Sequence, residues 1–269
     1  MTVLYDCHLH SDFSGDCDTP AELMAEKAVS LGMKGICFTE HLDLDAPVID
    51  GTDFSLDTGK YIQRMEALKA KYRSRLDIRI GVELGMQSHV LSQITGFAAA
   101  WPFDFIIASQ HYINGSDPYY PSYFKDREER DCYEEFFQIQ LSNLKNFSSY
   151  DTLGHMDYIV RYGPAKNTHY SFSSYADKID PILHHLIENG KCLEVNTGGY
   201  KHSLGSPNPD TTVLRRYREL GGELITIGSD AHKPIHLAYE FEKASALLTD
   251  LGFRYYTIYR GRKPEMMPL

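Results

Sequence analysis

Residues 3–16 read VLYDCHLHSDFSGD. An apolar run, VLYDC (3–7), passes straight into two imidazoles, His8 and His10, separated by one leucine, and Asp16 follows. Alternate residues of a strand share a face, so both rings belong on one side of a chain that is leaving a strand. Alone, such a pair reads as two solvated histidines. The decision rests on whether other strands end the same way.

Working outward, short β-rich runs alternate with amphipathic stretches. Thr19-Pro20-Ala21-Glu22 reads as a helix start, with Thr19 as cap, proline in the first turn and Glu22 closing a capping box. That helix stops at Leu31-Gly32. GICFT (35–39) is the next strand, and the stripe Tyr61, Ile62, Met65, Leu68 and Tyr72 marks the next helix. DIRIGV (77–82), a helix near 88–99 and FDFIIAS (103–109) follow. The segment 112–126, rich in Tyr, Pro, Asp and Ser, is long for a barrel connection and reads as a lid or binding loop. Then come a helix over 128–147, a short strand at 151–154, a helix at 175–189 and the strand KCLEV (191–195). A helix at 209–220, ELITIG (223–228), a helix at 236–250 and RYYTIY (254–259) complete the pattern. Repeated strand–helix–strand units predict a parallel α/β sheet. At this length a closed (β/α) barrel is the first expectation and an open doubly wound sheet the second.

The 269 residues, 42% hydrophobic and 24% charged, suit a soluble protein with a sizeable core. No Pro/Gly/Ser linker divides them, so one domain, 1–269, is expected. The start, MTVLYDCHLH, lacks a basic stretch followed by a long apolar one, and no run of about 18 apolar residues occurs. The expectation is neither signal peptide nor membrane span. Five scattered cysteines without a Cys-x-x-Cys pair indicate free thiols in a reducing cytoplasm. A net charge of -10 without a Lys/Arg-rich run argues against nucleic acid as a partner.

The other strands do end like the first. His41 follows the second, in TEHLDL; Glu83 the third, in GVELG; His111 the fourth, in ASQHYI. His155 and Asp157 follow the fifth, Asn196 the sixth, and Asp230 and His232 the seventh. In a parallel barrel these ends open on one mouth. His8, His10, Asp16, His41, Glu83, His111, His155, Asp230 and His232 therefore form a candidate metal-ligand set. Nine donors exceed the four that one zinc takes, so two or three ions fit better, with Glu83, central in strand order, as the bridge. Mixed imidazole and carboxylate donors favour Zn, Mn or Fe. His202 lies near the sixth strand end and could line the pocket. His89, His169, His184, His185 and His236 carry no matching context.

These residues resemble the PHP family, the polymerase-and-histidinol-phosphatase metal hydrolases, over nearly the whole chain. The resemblance is carried by His8-Leu9-His10-Ser11 with Ser14-Gly15-Asp16, by Thr39-Glu40-His41, by Gly81-Val82-Glu83, by His111 and His155, and by Ser229-Asp230-Ala231-His232. It implies a distorted, TIM-like (β/α)7 barrel with three divalent ions. One would take His8, His10, Glu83 and Asp230; a second Glu83, His111 and His155; a third Asp16, His41 and His232. Some relatives carry histidine in place of Asp16.

Within the family the histidinol-phosphatase branch matches best, through Asn196-Thr197-Gly198-Gly199. Lys201 stands where that motif leads into an arginine, and Arg161 matches the relatives' other phosphate-binding arginine. Lysine keeps the charge without the planar fork. Arg161, Lys201, Asn196 and His202 are thus the expected phosphate and substrate contacts. Arg161, Asp230 and His232 are the expected catalytic group, with the general acid unassigned. The implied reaction is hydrolysis of L-histidinol phosphate by attack of a metal-activated water on phosphorus. The 112–126 segment, Asp43 and Asp45 are candidate partners for the substrate's imidazole and amine. Another phosphate ester (nucleotide, sugar or phosphotyrosine) is the alternative substrate, and a non-catalytic PHP module the alternative of another class.

Overall fold

The computed structural model describes residues 3–269. Met1 and Thr2, the beginning of the stretch read against a signal peptide, lie outside them. Seven parallel strands follow one another around a nearly closed barrel in sequence order. They are β1 (Tyr5–Leu9), β2 (Gly35–Leu42), β3 (Asp77–Gly85), β4 (Phe105–Ser109), β5 (Thr152–Leu153), β6 (Cys192–Asn196) and β7 (Ile225–Gly228). The main crossover helices are α1 (Ala21–Ser30), α2 (Thr58–Tyr72), α3 (Leu91–Ala100), α4 (Glu129–Asn146) and α5 (Ala176–Glu188). After β6 come a single turn, α6 (Gly198–Lys201), and then α7 (Thr211–Glu219). The closed barrel holds and the open sheet does not. None of these helices is long and apolar enough to cross a membrane.

The seam between β7 and β1 is closed by side chains and single bridges. Asp6 is fully buried and accepts hydrogen bonds from the N–H and hydroxyl of Ser229. Leu9 and Ala231 form an isolated parallel bridge. Register elsewhere is regular: His41 is level with Glu83, and Glu83 with Ile107. Between β1 and β2 it slips, with Asp6 opposite Ile36 but Leu9 opposite Phe38. This bulge falls at Cys7 and His8, and such an extra residue re-aims the side chains beyond it.

RYYTIY is a strand, β8 (Tyr255–Arg260), but not a barrel strand. It pairs antiparallel with β9 (Lys263–Pro268), which the sequence pattern did not mark. The hairpin packs against the barrel end opposite the mouth. The Tyr259 ring stacks on Phe105 at 5.2 Å and Arg79 donates to the Tyr259 carbonyl. Two helix boundaries also differ. α1 starts at Ala21 without a side-chain cap; the Thr19 hydroxyl instead donates to the carbonyl of His232 (2.8 Å). The last helix, α8, spans only Phe241–Asp250, because a 3-10 turn at Pro234–His236 and a left-handed Glu240 (φ 55°) interrupt the expected run.

Candidate metal centre

Glu83 is the hub. It is completely buried, and five imidazoles surround its carboxylate. His155 Nε2 lies at 2.8 Å, His41 Nδ1 at 3.0 Å, His8 Nε2 at 3.2 Å, His111 Nε2 at 3.3 Å and His10 Nε2 at 3.6 Å. Ser109, one strand over, donates its hydroxyl to Glu83 Oε1 (2.6 Å). Asp230 joins from β7, with Oδ1 3.5 Å from His10 Nε2 and 3.9 Å from His8 Nε2. Asp16, exposed at the rim, lies 3.2 Å from His232 Nε2 and 3.7 Å from His41 Nε2. All nine residues expected as ligands therefore meet at one mouth.

Four of the rings are aimed by a partner on their far side. His8 Nδ1 donates to Glu194 Oε1 (2.6 Å) and His111 Nδ1 to Asp43 (3.0 Å). His10 Nδ1 donates to Ser14 Oγ (3.1 Å), which donates on to Glu40 (2.6 Å). His232 Nδ1 donates to the Asp230 carbonyl (3.2 Å). With Nδ1 protonated, each of these rings keeps a lone pair on Nε2, the atom facing the cluster. Glu194 also accepts from the His155 N–H (2.7 Å). A Cβ at Gly228 would lie 2.8 Å from Glu194 Oε1 and 2.3 Å from the His8 Cβ, so only glycine leaves room for this pair. Asp230 adopts a left-handed backbone (φ 53°), pinned by its N–H on the His8 carbonyl (2.8 Å).

This donor set fits divalent cations. Four triads of donor atoms lie within 4.8 Å of one another: His8/His10/Asp230, His8/Glu83/His155, His41/Glu83/His111 and His10/His41/His232. His8 Nε2 and His10 Nε2 face each other at 3.1 Å. Two lone pairs at that distance need a cation or a proton between them. Burial alone would raise the Glu83 pKa, but while no cation is bound the protonated rings of His8, His41 and His111 outweigh it and hold the carboxyl well below its usual range. Asp230 is likewise held low, by His8, His10 and Arg161 against its burial. Both carboxylates stay ionised and able to ligate.

Beside the cluster, Arg161 is buried with three of its five N–H donors engaged. Its Nη1 donates to Asp230 Oδ2 (3.0 Å), Nη2 to Asn196 Oδ1 (2.9 Å) and Nε to Asn208 Oδ1 (2.8 Å). Asp157 holds Asn208 in turn, accepting from its amide (2.6 Å). Lys201 Nζ donates to the carbonyls of Ser229 and Asp230 (2.9 and 2.8 Å). Arg161, Lys201 and His202 line a cavity of about 770 Å³ together with Asp16, His41, His111, His155, Asp230 and His232. Burial and the nearby Arg161 push His202 down to about 3, so its ring is neutral at physiological pH. Asn196 is fully buried and does not line the cavity; its amide braces Arg161 and Asp230 instead.

Several working residues escaped the sequence. Glu194 sits inside KCLEV, where a strand reading treats it as one polar interruption. Asp43, considered for the substrate, is taken by His111. Asp45 is exposed and pairs with His89 (2.8 Å) rather than facing the cavity. His236 and Lys233 do line the cavity. Replacing Glu194 by glutamine should weaken zinc binding roughly 10–100-fold, measured by titrating metal-free protein. Unchanged affinity would make the His8 contact mere packing.

A (β/α) barrel with this donor cluster at its mouth has the architecture of the metal-dependent barrel hydrolases, and the chain belongs to the PHP domain family, whose model matches residues 6–198. Histidinol-phosphatase of Lactococcus lactis subsp. lactis is 32% identical over 262 residues, covering 96% of this chain and 95% of that one. Histidinol-phosphatase of Bacillus subtilis is 26% identical over 262 residues, covering 88% and 96%. The crystal structure of the L. lactis histidinol phosphate phosphatase, complexed with zinc, L-histidinol and phosphate, matches with a TM-score of 0.89 at 31% identity, over 98% of this chain and 99% of that one.

Proposed function

We propose that this chain is a metal-dependent phosphatase that hydrolyses L-histidinol phosphate to L-histidinol and phosphate. One observation carries the reading. A single cavity joins the nine-donor cluster to Arg161 and Lys201, in a fold that matches a structure holding zinc, histidinol and phosphate. Three divalent ions, Zn, Mn or Fe, would use the ligand sets given above, with Glu83 shared. When bound, such ions acidify a water and neutralise phosphoryl charge.

The chain's own groups supply the rest. Arg161, kept cationic by Asp230, presents a fixed fork beside the cluster. An ammonium has three donors, and two of those on Lys201 hold backbone carbonyls at the end of β7. Asp230 and His232 are candidate proton carriers as well as ligands. The reading takes 1–269 as one domain, because Asp230 and His232 lie beyond the matched residues 6–198 yet complete the cluster. It places the enzyme in the cytoplasm, supported by five cysteines without a disulfide.

The test is phosphate release from purified protein with L-histidinol phosphate beside nucleotide, sugar and aryl monoesters, with metals quantified on the same sample. Turnover of L-histidinol phosphate well above the others is the expected result. A preference for a nucleotide or sugar phosphate would replace the substrate, and no turnover with a fully metallated site would remove the reading.

A further inference from the structure

Arg161 and Lys201 form a cationic end of the cavity, and a carboxylate elsewhere on its wall makes no salt bridge among the described residues. Asp117, on the segment between β4 and α4, lines the cavity. Among the described residues no lysine or arginine pairs with it. Its two side-chain hydrogen bonds, from the Tyr119 N–H (2.8 Å) and the Tyr158 hydroxyl (3.3 Å), both fall on Oδ1. Tyr158 fixes where that carboxylate stands. Its ring packs on His111 and His155 (centroids 5.3 and 5.1 Å apart), and the Arg161 guanidinium lies over it at 5.7 Å. One tyrosine side chain thus spans from the phosphate-binding arginine to Asp117. The segment is tied across the mouth a second time by Tyr119 against Tyr162 (5.3 Å).

We propose that Asp117 selects the leaving group, receiving the cationic end of a zwitterionic phosphate monoester while Arg161 and Lys201 receive the phosphate. The assignment rests on the phosphatase reading above and deepens it by naming the substrate class: phosphate at one end, ammonium or imidazolium at the other. Tyr119 and Tyr162 provide aromatic faces beside the carboxylate, which suit the same cation. Burial pushes the Asp117 carboxyl up to about 6, against the Tyr119 N–H and His111, which favour its charged form. A cation bound beside it offsets that burial; a neutral leaving group does not.

The test is steady-state kinetics of the zinc-loaded wild type, Asp117→Asn and Asp117→Glu. The substrates are L-histidinol phosphate, 2-aminoethyl phosphate and 4-nitrophenyl phosphate. For Asp117→Asn, kcat/KM on the two cationic esters should fall at least about tenfold, mainly through KM, and change less than about twofold on 4-nitrophenyl phosphate. Asp117→Glu should restore part of the loss. An equal loss on all three substrates overturns the assignment by making Asp117 structural, and no loss on any overturns it as well. If the wild type turns over 4-nitrophenyl phosphate but not L-histidinol phosphate, the histidinol reading fails, and the ratio of 2-aminoethyl to 4-nitrophenyl phosphate decides Asp117 alone.

Discussion

Glu83→Gln should lower kcat/KM for phosphate-ester hydrolysis by about 1,000-fold or more, because several kcal/mol of charge stabilisation by the metals depends on it. The substitution keeps the side chain's shape and removes its charge. Five imidazoles, from His8, His10, His41, His111 and His155, converge on that one carboxylate, which has no access to solvent. No other anion in the cluster touches as many. The neutral amide cannot bridge cations, so metal content should fall together with activity. Stripping the wild type with a chelator should give the same loss, reversed by zinc, manganese or ferrous iron. Elemental analysis and phosphate release on the same samples check both. Full activity in metal-free protein, or in a metal-depleted Glu83→Gln variant, would end the case for a metal mechanism.

Arg161→Ala should cost about 100-fold or more in kcat/KM, the usual effect of deleting a preorganised donor to a developing anion, while metal content stays unchanged. The arginine touches Asp230 on the Oδ2 side, whereas Asp230 Oδ1 faces His8 and His10. The ligand atom therefore survives the change. Asn196 and Asn208 lose their partner and Asp230 loses a cation, so Arg161→Lys should recover only part of the rate: it returns the charge without the fork. An unchanged kcat/KM would take Arg161 out of the site. A fall in metal content equal to the fall in rate would make it a support for Asp230 instead.

The parallel barrel was legible because its strands are short apolar runs and its helices carry stripes, both local properties of the chain. The candidate ligands were legible for a related reason: each lies in the last residues of a strand or beyond its end, and topology alone sends all strand ends to one rim. The errors came where a local signal met a tertiary partner. Thr19 has the pattern of a cap, but the His232 carbonyl claims its hydroxyl. RYYTIY has the pattern of a barrel strand, but its partner is a C-terminal segment of charged and methionine residues that shows no strand alternation.

What the sequence determined by itself was the order of elements, the set of candidate metal-binding side chains and the place where they gather, since all three follow from periodicity and chain direction. Tertiary structure alone decided how those side chains are aimed. Glu194 behind His8, Asp43 behind His111, the fork of Arg161 on Asp230 and the stance of Asp117 behind Tyr158 each join residues distant in the chain. Hydrogen-bond direction and ring tautomer depend on distances of a few ångströms between such residues, and no local pattern encodes them.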